Sequence, residues 1–354
     1  MYQISPQRLT DHGNALISDA ASTDTAKTYT NDHVSVHFYE TAFLYAKAWD
    51  AANDTKTSIT DYLTKLHTAL DSSGTELKGT ATRSLEIDDE TEAELDASYP
   101  GGAPSGATTP AGDASGGAPR EASAELTAPA TQMPEDLVST ILTTDWLSPS
   151  TVLAQVLDWI FDWNYLDEIT KNFSGDWNKL YEVSDALRHL GSYATVQGDN
   201  VRYEMAVTAG SWSGEAATAA NVFFTKMAQN LTDAGTEITD LGPEFEAVAR
   251  GMASTASALS GVFATILDAA LVAAACIAAG TATVETIVGG ILGYLCGGIG
   301  VGYAVWLARS AYETVQSVLL FFDGLTAAIG FLSSFLAGGA DLPVPTAYDN
   351  AQVS

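Results

Sequence analysis

The sequence predicts an all-α protein, on three observations. Apolar residues recur at spacings of three and four through most of the 354 residues. No run alternates polar and apolar residues over a length useful to a strand. Trp212-Ser213-Gly214 separates two long segments of helical period, as the elbow of a helical hairpin does. The expected layout is an N-terminal helical hairpin domain over 1–98, a flexible Pro/Gly/Ala linker over 99–133, a helical domain over 134–340 and a tail over 341–354. The last domain holds an apolar Gly/Ala-rich helical hairpin from about residue 261 to 340.

The first helix is expected to be entered through Ser5, because Pro6 suits the first helical position, and to carry Leu9, Ala15, Leu16, Ile17 and Ala20. A polar stretch rich in Thr, Asn and Asp follows to His33. A second helix is expected from near His37, through Phe38, Phe43, Leu44, Ala48, Ile59, Tyr62, Leu63, Leu66 and Leu70. Gly74 is a candidate interruption before Leu77, Thr80 and Ala81. From about Tyr99 to Met133 large apolar residues are few, so burial cannot offset the entropy of ordering and a flexible linker is expected.

The second domain opens with an aromatic-rich stretch from Leu137 to Leu166. One helix is expected from Trp177 to Thr208 on Leu180, Val183, Leu187, Leu190, Val201 and Met205. Its partner is expected from Glu215 on Ala219, Val222, Phe223, Met227, Leu231, Ile238 and Leu241. At the elbow, Gly214 permits a tight, left-handed turn, and the Trp212 indole fills the gap where the two helices splay.

Charge narrows the partners. Asp plus Glu outnumber Lys plus Arg by 44 to 15, a formal charge of −29 that repels nucleic acid and anionic lipid headgroups. The opening MYQISPQRL has no basic head followed by an apolar run, so no cleaved Sec leader is expected. Cys276 and Cys296 both sit in apolar sequence. They read as two small buried hydrophobes, or as a cross-helix disulfide if the compartment is oxidising.

Two resemblances rest on particular residues. The Trp212-Ser213-Gly214 elbow between long periodic segments resembles the WXG100 hairpin of substrates of the type VII (ESX) secretion systems of actinobacteria. The first domain resembles the EspC-like proteins linked to ESX secretion. That likeness lies in Ile4-Ser5-Pro6-Gln7-Arg8-Leu9 with His12, in Trp49, Ala52 and Ile59, in the pattern from Leu70 to Ala81, and in Leu95-Asp96-Ala97. The family's Tyr-x-x-x-Asp/Glu export signal would fall at Leu85-Glu86-Ile87-Asp88-Asp89, where Leu85 replaces the tyrosine and Asp89 keeps the carboxylate. The second domain as a whole is similar to the amino-terminal domain of the mycobacterial CpnT-type channel-toxin proteins, in which a glycine- and alanine-rich apolar hairpin follows a WXG100-like one.

The apolar tract supports two readings. Between Glu285 and Arg309 lie 23 uncharged residues, about 34 Å of helix, enough to cross a hydrocarbon core of about 30 Å. Gly289, Gly293 and Gly297 recur every four residues, a stripe that lets helices approach closely in membranes or in a soluble core. Ala269–Ala308 is therefore either a buried hairpin or a membrane-inserting one.

Sites of chemistry are weak. The spacing of His33, His37 and Glu40 could place metal ligands on one helix face, yet Val34 stands where a zinc protease needs glutamate, and a solvated or capping role is expected. Gly298-Ile299-Gly300-Val301-Gly302 lacks the strand and the Lys-Ser pair of a phosphate loop. Tyr181-Glu182-Val183-Ser184-Asp185 has the letters of the export signal but precedes the elbow, and reads as helix surface. The expectation is a non-enzymatic type VII substrate or secretion-associated protein with no cofactor or metal, acting outside the cytoplasm as a secreted or envelope-associated protein. Its expected partners are the export machinery, a WXG100-like chain or a second copy of itself, and a membrane. The alternative is a membrane-inserting or pore-forming protein that uses 269–308.

Overall fold

The computed structural model describes residues 4–36, 43–86, 118–131, 177–278, 326–334 and 336. Among them all regular structure is helical and there is no strand. Four long helices carry the architecture: α1 Pro6–His33, α2 Phe43–Glu86, α3 Asn178–Ala209 and α4 Glu215–Ala278. A short 3-10 turn, Ala122–Glu125, and a helix α5 over 326–334 complete it.

Helix α1 starts at Pro6 after an extended Ser5. It does not give way to a polar stretch after Ala20, because the polar residues serve both faces. Thr23, Ala26, Tyr29 and Thr30 turn inward. Thr23 and Thr30 each donate a hydroxyl to a carbonyl of the preceding turn, so these hydroxyls do not compete for the helical N–H groups. Gly74 does not interrupt α2, which runs unbroken for 44 residues. Gly74 lies against Gly13 of α1, and a Cβ on either would sit 2.6 Å from the other's carbonyl oxygen. That close approach fixes α1 and α2 as an antiparallel hairpin.

The α3–α4 hairpin uses the same device more extensively. Cβ atoms added at Gly191, Gly198 and Gly242 would meet the carbonyl oxygens of Gly235, Ala228 and Ser184 at 2.5, 2.8 and 2.9 Å. Each of these pairs is symmetric about Ser213: 22, 15 and 29 residues away on either side. The register of the hairpin is thus set by backbone contact at seven-residue intervals, the repeat of a supercoiled pair. The inward positions expected on α3 are all buried. On α4 Phe224, rather than Phe223, enters the core, and Ala219 and Val222 are only half-buried. From Met227 onward the expected positions hold.

Helix α4 passes through Pro243 without ending and reaches Ala278, so the hairpin helix and the start of the apolar tract are one element of 64 residues. At 1.5 Å per residue it is about 96 Å long. The ring of Pro243 supplies no N–H, which costs one helical bond but does not end a helix packed this closely.

The two expected domains share one core. Buried residues of α1, α2, α3, α4, α5 and the 3-10 turn form a single cluster. Residues 118–131, within the expected linker, are held in place. Arg120 N–H donates to Asn200 Oδ1 at 3.0 Å and its carbonyl accepts from Asn200 Nδ2 at 2.8 Å. Ala130 N–H donates to Asp185 Oδ2 at 2.8 Å. Side chains of α3 substitute for the hydrophobic surface this segment lacks, which composition alone does not reveal. Leu137–Leu166, Asp89, Glu285–Arg309 with Gly289, Gly293 and Gly297, and Cys296 lie outside the described residues.

Candidate functional site

The elbow begins where α3 ends. Ser211 N–H donates to the Thr208 carbonyl at 2.9 Å, and Gly214 follows with a φ of 124°, a conformation glycine adopts without strain. The Gly214 carbonyl then starts α4, accepting from both the N–H and the hydroxyl of Thr218 at 3.1 and 2.9 Å. Trp212, between these turns, is 1% exposed. So little of the indole surface is free that its part is to shape the elbow from inside.

Helix α1 reaches this elbow through His12. Its ring lies 4.9 Å from that of Phe224, and Nδ1 is 3.1 Å from Thr208 Oγ1. Nε2 is buried with no hydrogen-bond partner. Burial holds the imidazole neutral by lowering its pKa to about 3.

His12 is one rung of a polar ladder between α1 and α3. Ser22 Oγ lies 2.9 Å from Tyr193 OH, and Gln197 Nε2 reaches Tyr193 OH at 3.0 Å and the Asp19 carbonyl at 3.3 Å. The Asp19 carboxyl bonds Asn200, and burial raises its pKa to about 7, with Glu204 adding repulsion. Further along, Tyr29 OH is 2.8 Å from His189 Nδ1, and it also donates to the Thr127 carbonyl at 2.8 Å. The last rung joins His33 Nδ1 to Glu182 Oε1 at 3.1 Å, with Lys179 on the other oxygen at 2.6 Å. On the opposite side of the bundle, Tyr62 OH of α2 donates to Asn230 Oδ1 of α4 at 3.2 Å.

This ladder corrects two readings of the sequence. Tyr181–Asp185 is not helix surface: Glu182 and Ser184 are buried, and Asp185 holds Ala130. His33 does not simply face solvent or cap a helix, because it pairs with Glu182 across the bundle; His37 and Glu40 lie outside the described residues. Among the described residues no group of three His, Cys, Asp or Glu gathers where it would bind a metal ion. The rungs are hard to read in the sequence because isolated polar residues read as solvent-facing. The signal was their seven-residue recurrence at His12 and Asp19 and again at Ser22 and Tyr29, beside the buried Leu9, Leu16 and Ala26.

Two contact types thus divide the bundle. Within each hairpin the helices meet backbone to backbone at glycine; between hairpins α1 and α3 meet through matched polar side chains. Buried polar pairs of this kind fix register, because a slipped alignment leaves several groups unsatisfied.

The register also orders the ends. His12 sits at the last turn of α3, and Gly13 lies opposite Gly74 on α2. Leu85, eleven residues past Gly74, therefore extends about 16 Å further toward the end that carries the elbow. It is 74% exposed, a large apolar side chain in water beside the end of α2. Asp89 follows it outside the described residues.

The chain matches no known family model, no curated protein and no solved structure.

The two strongly shifted acid-range groups of the α1–α3 interface, His12 and Asp19, pull stability in opposite directions with pH. His12 has a folded pKa of about 3, below its free value of 6.5, so its contribution is complete above 6.5 and is lost as pH falls toward 3. Asp19 has a folded pKa of about 7, above its free value of 3.8, so its contribution is complete below 3.8 and is lost as pH rises through 7. Between about pH 4 and 6.5 the two slopes oppose each other, each near 1.4 kcal/mol per pH unit. Asp19→Asn should therefore make the protein acid-sensitive across this window, and His12→Leu should make it lose stability as pH rises. Urea midpoints at half-unit pH steps read both. Parallel profiles for the two variants would contradict this account of the interface.

Proposed function

We propose that this chain is a non-enzymatic substrate or secretion-associated protein of type VII export that travels as a folded, self-paired four-helix body. The observation that supports this reading is the shared end of the bundle. The Trp212-Gly214 elbow of the WXG100-like hairpin and the Leu85 end of the EspC-like hairpin lie together there. An exposed apolar side chain beside a rigid elbow is a surface that a receptor reads as one patch, and the two hairpins would then carry one signal between them rather than two. On this reading the face of α3 that a WXG100-like partner chain would cover is occupied by α1. The machinery is then the expected partner, and a separate helical chain is not needed.

The test is secretion from an actinobacterial host with and without its type VII ATPase. The chain should leave the cytosol only when the ATPase is present. Leu85→Ser should abolish that export while shifting stability by less than about 0.5 kcal/mol, as exposed positions do. Retention of the unsubstituted chain in both strains would overturn the reading. Export of the Leu85→Ser chain at the normal level would remove Leu85 from the signal.

A second reading, a membrane-inserting protein, is favoured by the continuity of α4 with the apolar tract. Among the residues whose side chains are described, no helix is long and apolar enough to cross a membrane. The 269–308 segment lies beyond them. Leakage of neutral liposomes is the measurement that bears on it.

A further inference from the structure

Residues 124–130 are held across α1 and α3 mainly by their backbone. The Thr127 carbonyl accepts from Tyr29 OH of α1 at 2.8 Å and lies 2.9 Å from His189 Nδ1 of α3. Ala130 N–H donates to Asp185 Oδ2. Two side chains turn inward: Pro129 is buried, and Leu126 packs against the common core. Ala124, Thr127, Ala128 and Ala130 are exposed. The groove therefore reads a main chain with a leucine and a proline three residues apart, and little else.

That pair, Leu-x-x-Pro, occurs twice in the 354 residues, at Leu126–Pro129 and at Leu342–Pro345. The likeness extends to both sides, Ala124-Glu125-Leu126-Thr127-Ala128-Pro129-Ala130 against Ala340-Asp341-Leu342-Pro343-Val344-Pro345-Thr346. Both inward positions are identical, and Pro343 and Val344 differ where the seated segment is exposed. The acidic residue is kept as well: Glu125 lies 3.7 Å from Arg120, a place that Asp341 can take. Residues 340–346 lie outside the described residues, but Leu336, four residues earlier, is buried in the common core. Ala340 is therefore within about 14 Å of that core residue, which holds the segment at high effective concentration beside the bundle.

We propose that the groove between α1 and α3 is a peptide seat for which the chain carries two occupants, 124–130 in the structure and 340–346 in exchange for it. The backbone groups that the seat uses persist in the second segment. Pro343 keeps a carbonyl for Tyr29 and His189, and Thr346 keeps an N–H for Asp185. Pro343 lacks the N–H that in Thr127 donates to the Glu125 carbonyl at 2.9 Å, and the hydroxyl that lies 3.4 Å from His189 Nε2. Those two contacts make 124–130 the resident. Asn200 clamps Arg120 upstream of the exchanged stretch, so 118–120 stay attached whichever segment is seated. The ligand class of the seat is a short extended peptide of the form Ala-acidic-Leu-x-x-Pro, and seating one segment frees the other.

A labelled peptide of residues 338–348 tests the seat by fluorescence anisotropy. The full chain carrying Leu126→Asp and Pro129→Asp should bind it several-fold more tightly than the unsubstituted chain. Adding Tyr29→Phe and Asp185→Ala should remove that gain, and a peptide with Leu342→Asp and Pro345→Asp should not bind. If the vacated chain keeps its helix content by circular dichroism and binds both peptides alike, the proposal is overturned. Disulfide trapping decides the matter with Leu126 and Pro129 intact, in the chain carrying Cys276→Ala and Cys296→Ala. Pro343→Cys is paired with His189→Cys at the seat, or with Thr236→Cys on an exposed part of α4 as the control. Oxidation should join the first pair, within a chain or between two, several-fold faster than the control pair. Equal rates for the two pairs would overturn the exchange.

Discussion

Trp212→Ala should lower the stability of the folded chain by about 3–5 kcal/mol, the range for removing a buried tryptophan whose site cannot collapse. Collapse is resisted because the turns that flank the indole in the chain are held by bonds of their own. Ser211 is tied to Thr208 on one side, Gly214 to Thr218 on the other, and Phe224 is held against His12. A void at the elbow also loosens the last turn of α3, where Thr208 meets His12, so the loss should extend to the join between hairpins. Urea denaturation of the purified chain measures it. A loss below about 1 kcal/mol would mean that the indole packs against little, and would remove the elbow as a rigid feature.

Gly235→Val should cost a comparable amount by the opposite mechanism. A Cβ at Gly235 would lie 2.6 Å from the Gly191 carbonyl oxygen and 3.0 Å from the Thr195 backbone nitrogen. Both are backbone atoms within a helix, so relief requires α3 and α4 to separate along their length. Overpacking typically costs about 1–3 kcal/mol, and the β-branched side chain places this change at or above the top of that range. Gly330→Ala is the matched control. Its Cβ enters open space, and alanine's helix propensity should leave the protein unchanged or stabilise it by up to about 1 kcal/mol. Equal losses from the two substitutions would show that helix glycine acts here through general flexibility and not through close approach.

What could be read in the sequence was local. Pro6 marked a helix start, the periodic leucines and valines of α3 marked its inner face, and Trp212-Ser213-Gly214 marked a turn between helices. Each of these is decided by a few neighbouring residues. The Phe223 and Phe224 pair shows the limit: adjacent phenylalanines lie 100° apart on a helix, and it is Phe224 that shares the buried face of Ala220, Met227 and Leu231 and meets His12. Glycines misled in the other direction. Gly74 read as an interruption because its cost in an isolated helix is certain, whereas its benefit exists only when Gly13 lies opposite. Gly191 with Gly198 and Gly235 with Gly242 carry a seven-residue repeat, which is sparser in the sequence than the stripe at Gly289, Gly293 and Gly297.

The candidate site was the least legible part, for a physical reason. His12, Asp19, Ser22, Tyr29 and His33 are polar residues whose partners lie about 150 to 200 positions away on α3. Each alone is better placed in water. Only the complete set, brought together by two hairpins of fixed register, makes burial favourable. The segment 118–131 follows the same logic, since Asn200 and Asp185 hold its backbone while Ala122 and Leu126 pack against a core built by the distant helices.

The central claim is that the two hairpins join in one register, with Leu85 and the elbow at the same end. Two spin-label pairs test it by double electron–electron resonance, in the chain carrying Cys276→Ala and Cys296→Ala. Leu85→Cys paired with Ser211→Cys should give a distance within about 30 Å. Leu85→Cys paired with Lys179→Cys should give roughly 60 Å, because α3 separates its two ends by about 1.5 Å per residue. The reverse order of these distances, or broad distributions for both pairs, would contradict the self-paired bundle and the shared end on which the proposed signal depends.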